Sequence, residues 1–191
     1  MIRARGLVKR YGDRRVLAGV DVALDRGELL LVTGPNGSGK TTLLRVLAGL
    51  VAPNGGELEL PPRETIGYLG HEPLVYRELT PLENLALFGR LYRVPERGER
   101  IGMLLERFGL WDVRHVRVAT FSRGMQQRLG LCRVLLHDPG VLLLDEPANA
   151  LDADGVALLA DVLADRSRAV AVATHEPRLV EPLATARLSF A

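Results

Sequence analysis

Apolar residues in this chain occur in short runs, separated by turn residues and by stretches with helical spacing. Val16–Leu24 and Leu29–Thr33 are apolar-rich and flank a polar turn, a pattern that predicts strand, turn and strand. In Thr41–Leu50 the leucines recur at helical spacing, and the Pro and Gly of Val51–Gly56 end the predicted helix. The first third of the chain is therefore predicted to combine strands with one helix.

The middle of the chain has a helical pattern instead. Thr80, Pro81 and Glu83 form a capping box with proline at the first helical position, so a helix is predicted to begin there. Apolar residues at helical spacing in 101–108 predict another helix. From about residue 72 to residue 137 the sequence has no convincing strand pattern. This segment is therefore predicted to be a helical insertion.

Strand-like runs return at Val141–Leu144 and Ala169–Thr174, on either side of a predicted helix near Gly155–Arg166. This order of elements predicts an α/β fold with a parallel core sheet and a helical subdomain inserted in its middle. The length suits one domain. We expect a single domain over residues 1–191, with the core in 1–71 and 138–191 and the helical subdomain in 72–137.

The composition indicates a globular protein of a reducing compartment. Hydrophobic residues make up 47% of the chain, enough for a sizeable core, and a net charge of +2 without a basic block does not indicate a nucleic-acid-binding surface. Cys132 is the one cysteine, so an intrachain disulfide is impossible, in agreement with a reducing compartment. No apolar run approaches the roughly 20 residues that span a bilayer, and the N-terminus lacks the apolar core of a secretory signal. A cytosolic chain is expected.

A phosphate-binding loop, G-x-x-x-x-G-K-[ST], lies between the predicted strand 29–33 and the predicted helix 41–50. Its residues are Gly34, Pro35, Asn36, Gly37, Ser38, Gly39, Lys40 and Thr41, and Thr42 is assigned to the same nucleotide site. The glycines let backbone N–H groups turn toward phosphate oxygens, and the helix presents its positive end there. Lys40 is predicted to bind the β- and γ-phosphates, and the Thr41 hydroxyl to ligate Mg²⁺. An accidental match in a chain this long is on the order of one in a hundred.

The apolar run Val141–Leu144 ends in two acidic residues, Asp145 and Glu146. Such a run is typical of a central parallel strand that is buried on both faces. Asp145 is predicted to hold Mg²⁺ through water, and Glu146 to polarise the attacking water as general base. An acidic pair after a strand is more often a polar turn. The phosphate loop favours the catalytic interpretation because it makes a metal ligand necessary.

Together with five further segments, these motifs resemble the ATP-binding cassette (ABC) family over nearly the whole chain. Residues 121–128 are similar to the signature sequence L-S-G-G-Q, and 150–152, including Asp152, resemble the D-loop. His175 resembles the switch histidine, Tyr11 the aromatic residue that stacks on adenine, and 67–72 the Q-loop. The resemblance implies an ABC-type P-loop fold with an N-terminal antiparallel β part, which binds and hydrolyses ATP.

The resemblance also implies a head-to-tail homodimer in which Ser122, Gly124 and Asp152 complete an ATP site on the partner. Two ATP molecules would lie between the subunits, and His175 would contact the γ-phosphate and help hold the attacking water, beside Lys40 and Glu146. The residues themselves support an anion site at Ser122, since it precedes an apolar-periodic helix. An ordinary N-cap is the alternative for this serine, as a surface or core position is for His175 and an exposed turn for Tyr11.

This sequence departs from the family pattern at a few positions. Phe121, Arg123 and Met125 stand where the signature usually has Leu, Gly and Gln, and His71 stands where the Q-loop usually has Gln. Ser122 and Gly124 remain, so hydrolysis is expected to survive, and His71 is assigned as a weak ligand near Mg²⁺. Around His71, and in 79–85 and 151–157, the sequence resembles the haem-exporter branch of the family that serves cytochrome c maturation.

The leading hypothesis is the motor subunit of a transporter, held at the cytoplasmic face of the membrane by a separate integral membrane permease. Haem export is the expected task, and an exporter for another substrate is the alternative. The permease is expected to enter a groove formed by the helical insert and 67–77. A soluble ABC ATPase acting on nucleic acid or ribosomes is disfavoured, because the sequence has no sustained heptads, second phosphate loop or Cys/His cluster. Glu146 and His175 argue against a non-catalytic nucleotide-binding module.

Overall fold

Two β-sheets and five α-helices form the fold in residues 1–190, the part of the chain that the computed structural model describes. The strands are β1 (Ile2–Tyr11), β2 (Arg14–Leu24), β3 (Leu29–Thr33), β4 (Gly55–Glu59), β5 (Ile66–Leu69), β6 (Val141–Asp145), β7 (Ala169–Ala173) and β8 (Ala186–Ser189). The helices are α1 (Lys40–Leu47), α2 (Pro81–Leu91), α3 (Arg97–Arg107), α4 (Arg123–Leu135) and α5 (Ala153–Ala164), with short 3-10 turns at Arg63–Thr65, Val118–Thr120, Pro177–Leu179 and Glu181–Leu183.

The first sheet is antiparallel and has the order β2-β1-β4. β1 and β2 form a hairpin with Gly12 and Asp13 at the turn, so that Tyr11 lies directly opposite Arg14. Gly12 has a φ of 56°, a conformation that a tight hairpin requires and glycine adopts without strain. The antiparallel β part expected at the N-terminus is thereby confirmed.

The second sheet is parallel and has the order β5-β6-β7-β3-β8. Every residue of β6 and β7 is buried, because helices and the first sheet cover the strands, and this burial explains their uninterrupted apolar runs. β3, β6 and β7 end at the same edge, where the segments that follow them carry the phosphate loop, the acidic pair and His175. Ligands of open parallel sheets bind at this carboxyl edge.

Helices alone occupy the middle of the chain, apart from 3-10 turns and loops, as the sequence predicts. The capping box is present: the Thr80 hydroxyl accepts a hydrogen bond from the Glu83 N–H at 3.2 Å, and the Glu83 carboxylate accepts one from the Thr80 N–H at 2.8 Å. α4 also packs on β5 of the parallel sheet. The boundaries 72 and 137 of the helical subdomain stay a prediction.

Helix ends differ from the sequence prediction by a few residues. α1 ends at Leu47 instead of Leu50, because Gly49 takes a φ of 66° and turns the chain. At the end of α2, Leu91 is 67% exposed although its spacing fits the apolar face. α5 begins at Ala153, two residues before the predicted start, because the Asp152 carboxylate accepts a hydrogen bond from the Gly155 N–H and caps the helix.

The first two turns of α4 pack tightly on the segment 147–152 that follows β6. The Gln127 side chain is buried and donates to the Pro147 carbonyl oxygen at 3.1 Å, and the Arg128 guanidinium pairs with the Asp152 carboxylate. A Cβ added at Gly124 would lie 2.6 Å from the Ala150 carbonyl oxygen. The backbone at Gly124 therefore lies too close to the backbone at Ala150 for any side chain to fit between them.

No helix in residues 1–190 is long and apolar enough to cross a membrane.

Replacing Gly124 with Ala should lower the free energy of unfolding by about 1–3 kcal/mol, since the new methyl group must displace backbone at Ala150. Gly98→Ala is a matched control, because Gly98 is likewise the second residue of its helix and has open space where a Cβ would stand. That control should be neutral or stabilise by up to about 1 kcal/mol. Urea denaturation of both variants measures the difference, and equal stabilities would contradict the close approach.

Candidate functional site

A cavity of ≈ 470 Å³ lies at the carboxyl edge of the parallel sheet. Eleven residues assigned to the site from the sequence line it: Tyr11, Asn36, Gly37, Gly39, Lys40, Thr41, Thr42, His71, Asp145, Glu146 and His175. Three residues that the sequence analysis missed line it as well, namely Arg14, Val16 and Asn149. The structure thus brings residues from both ends and the middle of the chain to one place.

The phosphate loop curls around the start of α1. Gly34, Gly37 and Gly39 have φ values of 145°, 77° and 117°, which side-chain-bearing residues rarely adopt. A Cβ at Gly39 would lie 2.9 Å from the Val16 carbonyl oxygen, so β2 supports the loop from outside. The Lys40 ammonium group is held inside the loop and donates to the carbonyl oxygens of Gly34 at 2.7 Å and Pro35 at 3.0 Å.

Two hard oxygen ligands meet beneath the loop. The Thr41 hydroxyl donates to the Asp145 carboxylate at 2.7 Å, although 104 residues separate them in sequence. Asp145 is almost fully buried, and burial raises the pKa of its carboxyl group while the Thr41 hydrogen bond lowers it. A cation beside this carboxylate would stabilise its charged form. The pair fits Mg²⁺, which proteins bind through one or two carboxylates with the remaining positions left to phosphate and water.

Glu146 is held by the segment that follows β7. Its carboxylate accepts hydrogen bonds from the Thr174 hydroxyl at 3.0 Å and from the His175 N–H at 3.0 Å, and its own N–H donates to the Ala173 carbonyl oxygen at 2.8 Å. Glu146 has a φ of 51°, which is strained for a residue with a side chain. Thr174 is a site residue that sequence reasoning missed, because one threonine after an apolar strand carries no pattern.

His175 is paired with the same carboxylate. Its Nδ1 lies 2.9 Å from Glu146 Oε1, and its side chain is 47% exposed toward the cavity side of the sheet edge. The hydrogen bond to Glu146 and the negative charge of that group raise the pKa of His175. The imidazole is therefore placed beside the predicted base, where it can act as a hydrogen-bond donor.

Tyr11 and His71 lie at different parts of the cavity wall. Tyr11 ends β1, is 49% exposed, and carries the Lys9 ammonium 5.2 Å from its ring centre. A half-exposed aromatic ring at this place suits stacking on a nucleobase, as the family resemblance implies. His71 follows β5 and lines the cavity together with Thr41 and Asp145.

Six predicted nucleotide contacts do not line this cavity: Gly34, Pro35 and Ser38 of the phosphate loop, and Ser122, Gly124 and Asp152 farther along the chain. Ser122 caps α4, where its hydroxyl accepts a hydrogen bond from the Met125 N–H at 3.2 Å. The Asp152 carboxylate is engaged by Gly155 and Arg128 of its own chain. Within one chain Ser122, Gly124 and Asp152 therefore have structural partners, and a nucleotide role for them stays a prediction that requires a second subunit.

Comparison with known proteins identifies the family. The sequence profile described as "ABC transporter" matches residues 17–149. The cytochrome c biogenesis ATP-binding export protein CcmA of Rhizobium meliloti (strain 1021) is 40% identical over 189 residues, covering 92% of this chain and 91% of that protein. The phosphonates import ATP-binding protein PhnC 1 of Natronomonas pharaonis is 38% identical over 210 aligned positions, covering 100% of this chain and 90% of that protein.

A solved structure of an ATP-binding cassette has the same fold as this chain. The dimeric post-hydrolysis state of the ATP-binding cassette MJ0796, bound to ADP and Pi, superimposes with a TM-score of 0.87 at 26% identity, covering 100% of this chain and 94% of that one. The predicted ABC-type P-loop fold is thereby confirmed. The chain belongs to the ABC transporter family as an ATP-binding subunit, an ATPase that serves as the motor of a transporter.

Proposed function

We propose that this subunit hydrolyses ATP with Mg²⁺ in the cavity described above, as a homodimer that drives a haem-exporting permease for cytochrome c maturation. The observation that carries the chemistry is the convergence of Lys40, Thr41, Asp145, Glu146 and His175 on one cavity. Together they meet the requirements of phosphoryl transfer to water: Lys40 supplies charge, Thr41 and Asp145 metal ligation, Glu146 proton acceptance and His175 hydrogen bonding. The proposed residue roles follow from their positions.

Lys40 and the N-terminus of α1 would bind the β- and γ-phosphates of ATP, with the loop N–H groups around them. Thr41 and Asp145 would hold Mg²⁺, which supplies charge neutralisation on the transferring phosphoryl group. Glu146 would accept the proton of the attacking water, since its carboxylate is fixed by the hydroxyl of Thr174 and the N–H of His175.

A homodimer would bring together two phosphate-binding ends, at Ser122 and at Lys40, that lie apart in one chain. Ser122 is exposed at the N-terminus of α4, a helix of 13 residues whose positive end suits the γ-phosphate of a partner's nucleotide. The dimeric arrangement of the MJ0796 cassette supports this proposal. In such a dimer the Ser122 end of one subunit would face the Lys40 end of the other, and two ATP molecules would lie between them.

A groove of ≈ 790 Å³ beside the nucleotide cavity is the proposed docking place of the permease, at the cytoplasmic face of the membrane. Leu74, Val75 and Arg77 line one side, and Arg123 and Gln126 of α4 line the other. Leu74 is 58% exposed and has a φ of 51°, so an apolar side chain is presented outward at a strained position. A cytoplasmic helix of the permease would cover it.

Glu146→Gln should reduce the rate of ATP hydrolysis by at least about a hundredfold, because the amide cannot accept the proton of the attacking water. Binding of Mg²⁺-ATP should persist, and an ATP-bound dimer should accumulate in size-exclusion chromatography. Glu176→Gln is the matched control, since that neighbouring carboxylate is 84% exposed. Turnover by Glu146→Gln at the rate of the control would refute the role of Glu146 as base.

Protonation of His175 provides a second readout of the same site. Because its pKa is raised in the folded chain by Glu146, the pair stabilises the fold below the ordinary histidine pKa of about 6.5, and that contribution is lost as pH rises through the folded-state pKa. In Glu146→Gln the pKa of His175 should fall toward its ordinary value. Imidazole NMR titration of both proteins measures this shift, and an unchanged pKa would contradict the pairing.

Haem export can be separated from other transport by deleting the gene in its own organism. Haem-stained c-type cytochromes should disappear from the membranes while non-covalent haem proteins remain. A plasmid with the wild-type gene should restore them, whereas the Glu146→Gln gene should not. Intact c-type cytochromes, combined with loss of transport of another compound such as a phosphonate, would contradict haem export and leave the motor function standing.

A further inference from the structure

Arg14 lies at the mouth of the nucleotide cavity, in a position that the sequence motifs do not mark. It is the first residue of β2 and lies directly opposite Tyr11 across the β1–β2 hairpin. Directly opposed residues of an antiparallel pair project from the same face. Both side chains accordingly line the cavity.

The Arg14 side chain reaches from the hairpin to the tip of the phosphate loop. Its Nη2 donates to the Gly37 carbonyl oxygen at 3.0 Å. No carboxylate in residues 1–190 forms an ion pair with Arg14, in contrast to Arg128 and Arg168, which each pair with an aspartate. Arginine carries five N–H donors in a planar fork, so most of its donors and its whole charge stay available for a ligand.

The order of groups along the cavity defines which part of the nucleotide Arg14 faces. Tyr11 marks the base end, while Lys40 marks the end next to Thr41, Asp145 and Glu146, where the β- and γ-phosphates are bound in the proposed function. Arg14 lies opposite Tyr11 and its side chain reaches Gly37 of the loop, so it joins the base end of the cavity to the phosphate loop. The α-phosphate is the anionic group of ATP that belongs between base and β-phosphate.

We propose that Arg14 binds the α-phosphate of the nucleotide, as a second cation beside Lys40, an inference that rests on the proposed ATP site. The planar guanidinium group of Arg14 suits contact with phosphate oxygens. Its hydrogen bond to the Gly37 carbonyl oxygen fixes its position before the nucleotide binds. Because ATP and ADP share the α-phosphate, Arg14 strengthens the binding of both equally. Lys40 and Glu146 remain responsible for the γ-phosphate, so turnover at saturating ATP does not depend on Arg14.

Arg14→Ala in the full chain should raise the Kd of Mg²⁺-ATP and of ADP by the same factor, roughly tenfold, with kcat unchanged and KM raised. Removal of one ionic contact should also flatten the dependence of the ADP Kd on salt concentration. Isothermal titration calorimetry and steady-state kinetics measure these effects. Arg15→Ala is the matched control, since Arg15 is the exposed next residue, which projects from the opposite face of the strand, and it should bind both nucleotides as the wild type does.

Further variants of Arg14 distinguish direct binding of the phosphate from structural support of the loop through Gly37. Arg14→Gln keeps an N–H donor for the Gly37 carbonyl oxygen but lacks the charge, so it should bind as weakly as Arg14→Ala, and Arg14→Lys should recover most of the affinity. Full affinity in Arg14→Gln, or a loss for ATP alone, would overturn the α-phosphate contact. If the wild type itself bound neither nucleotide, the proposed function would fail as well, which distinguishes the two outcomes.

Discussion

Parallel pairing of β7 between β3 and β6 is the constraint on which the site depends. Val32 of β3 and Asp145 of β6 are both in register with Ala173 of β7. The three strands therefore end at one level, and the residues that follow them emerge side by side. A shift of one strand by one residue would reverse the faces of its side chains and separate Thr41 from Asp145. The apolar runs of these strands thus build the buried core and also fix the register that aligns the site residues.

The strain at Glu146 has a structural explanation in the same arrangement. Its N–H donates to the last carbonyl oxygen of β7, that of Ala173, and its carboxylate contacts Thr174 and His175, which follow β7. The end of β7 thus holds the first residue after β6. These contacts offset a positive φ that would otherwise cost of order 1 kcal/mol or more. The proposed base, Glu146, is consequently fixed in orientation by its own chain.

The tight packing of α4 on the segment 147–152 extends this rigidity toward the signature sequence. Gln127 and Arg128 bond to Pro147 and Asp152, and Gly124 lies against Ala150, one more residue with a positive φ of 63°. Any displacement of the Ser122 end of α4 therefore pushes on backbone only a few residues from Glu146. In the proposed dimer, this contact joins the end that faces the partner's nucleotide to the base of the chain's own site.

The sequence predicted those parts of the site whose chemistry has a fixed local spacing, such as the loop around Lys40 and the acidic pair after β6. It did not reveal Arg14 or Thr174, because each reaches the site through strand pairing between distant segments. β1 and β4 also lacked a clear signal, since half-exposed strands with bulges lose strict alternation. Asp152 was assigned from the resemblance, yet within the chain its carboxylate caps α5, a role that its position before a helix could have suggested.

Relatives whose names describe ATP-binding proteins differ in the transport that those names describe, export for cytochrome c biogenesis in one and import of phosphonates in another. In the proposed function the permease therefore selects the cargo, and the subunit needs a structural connection from the proposed permease groove to the proposed metal site. His71 and Asn149 line both the groove and the nucleotide cavity. A permease helix pressing on Leu74 would displace backbone three residues from His71, which faces the cavity beside Thr41 and Asp145. In the proposed function, His71 is therefore the residue through which a permease in the groove would act on the metal site, because it lines both cavities.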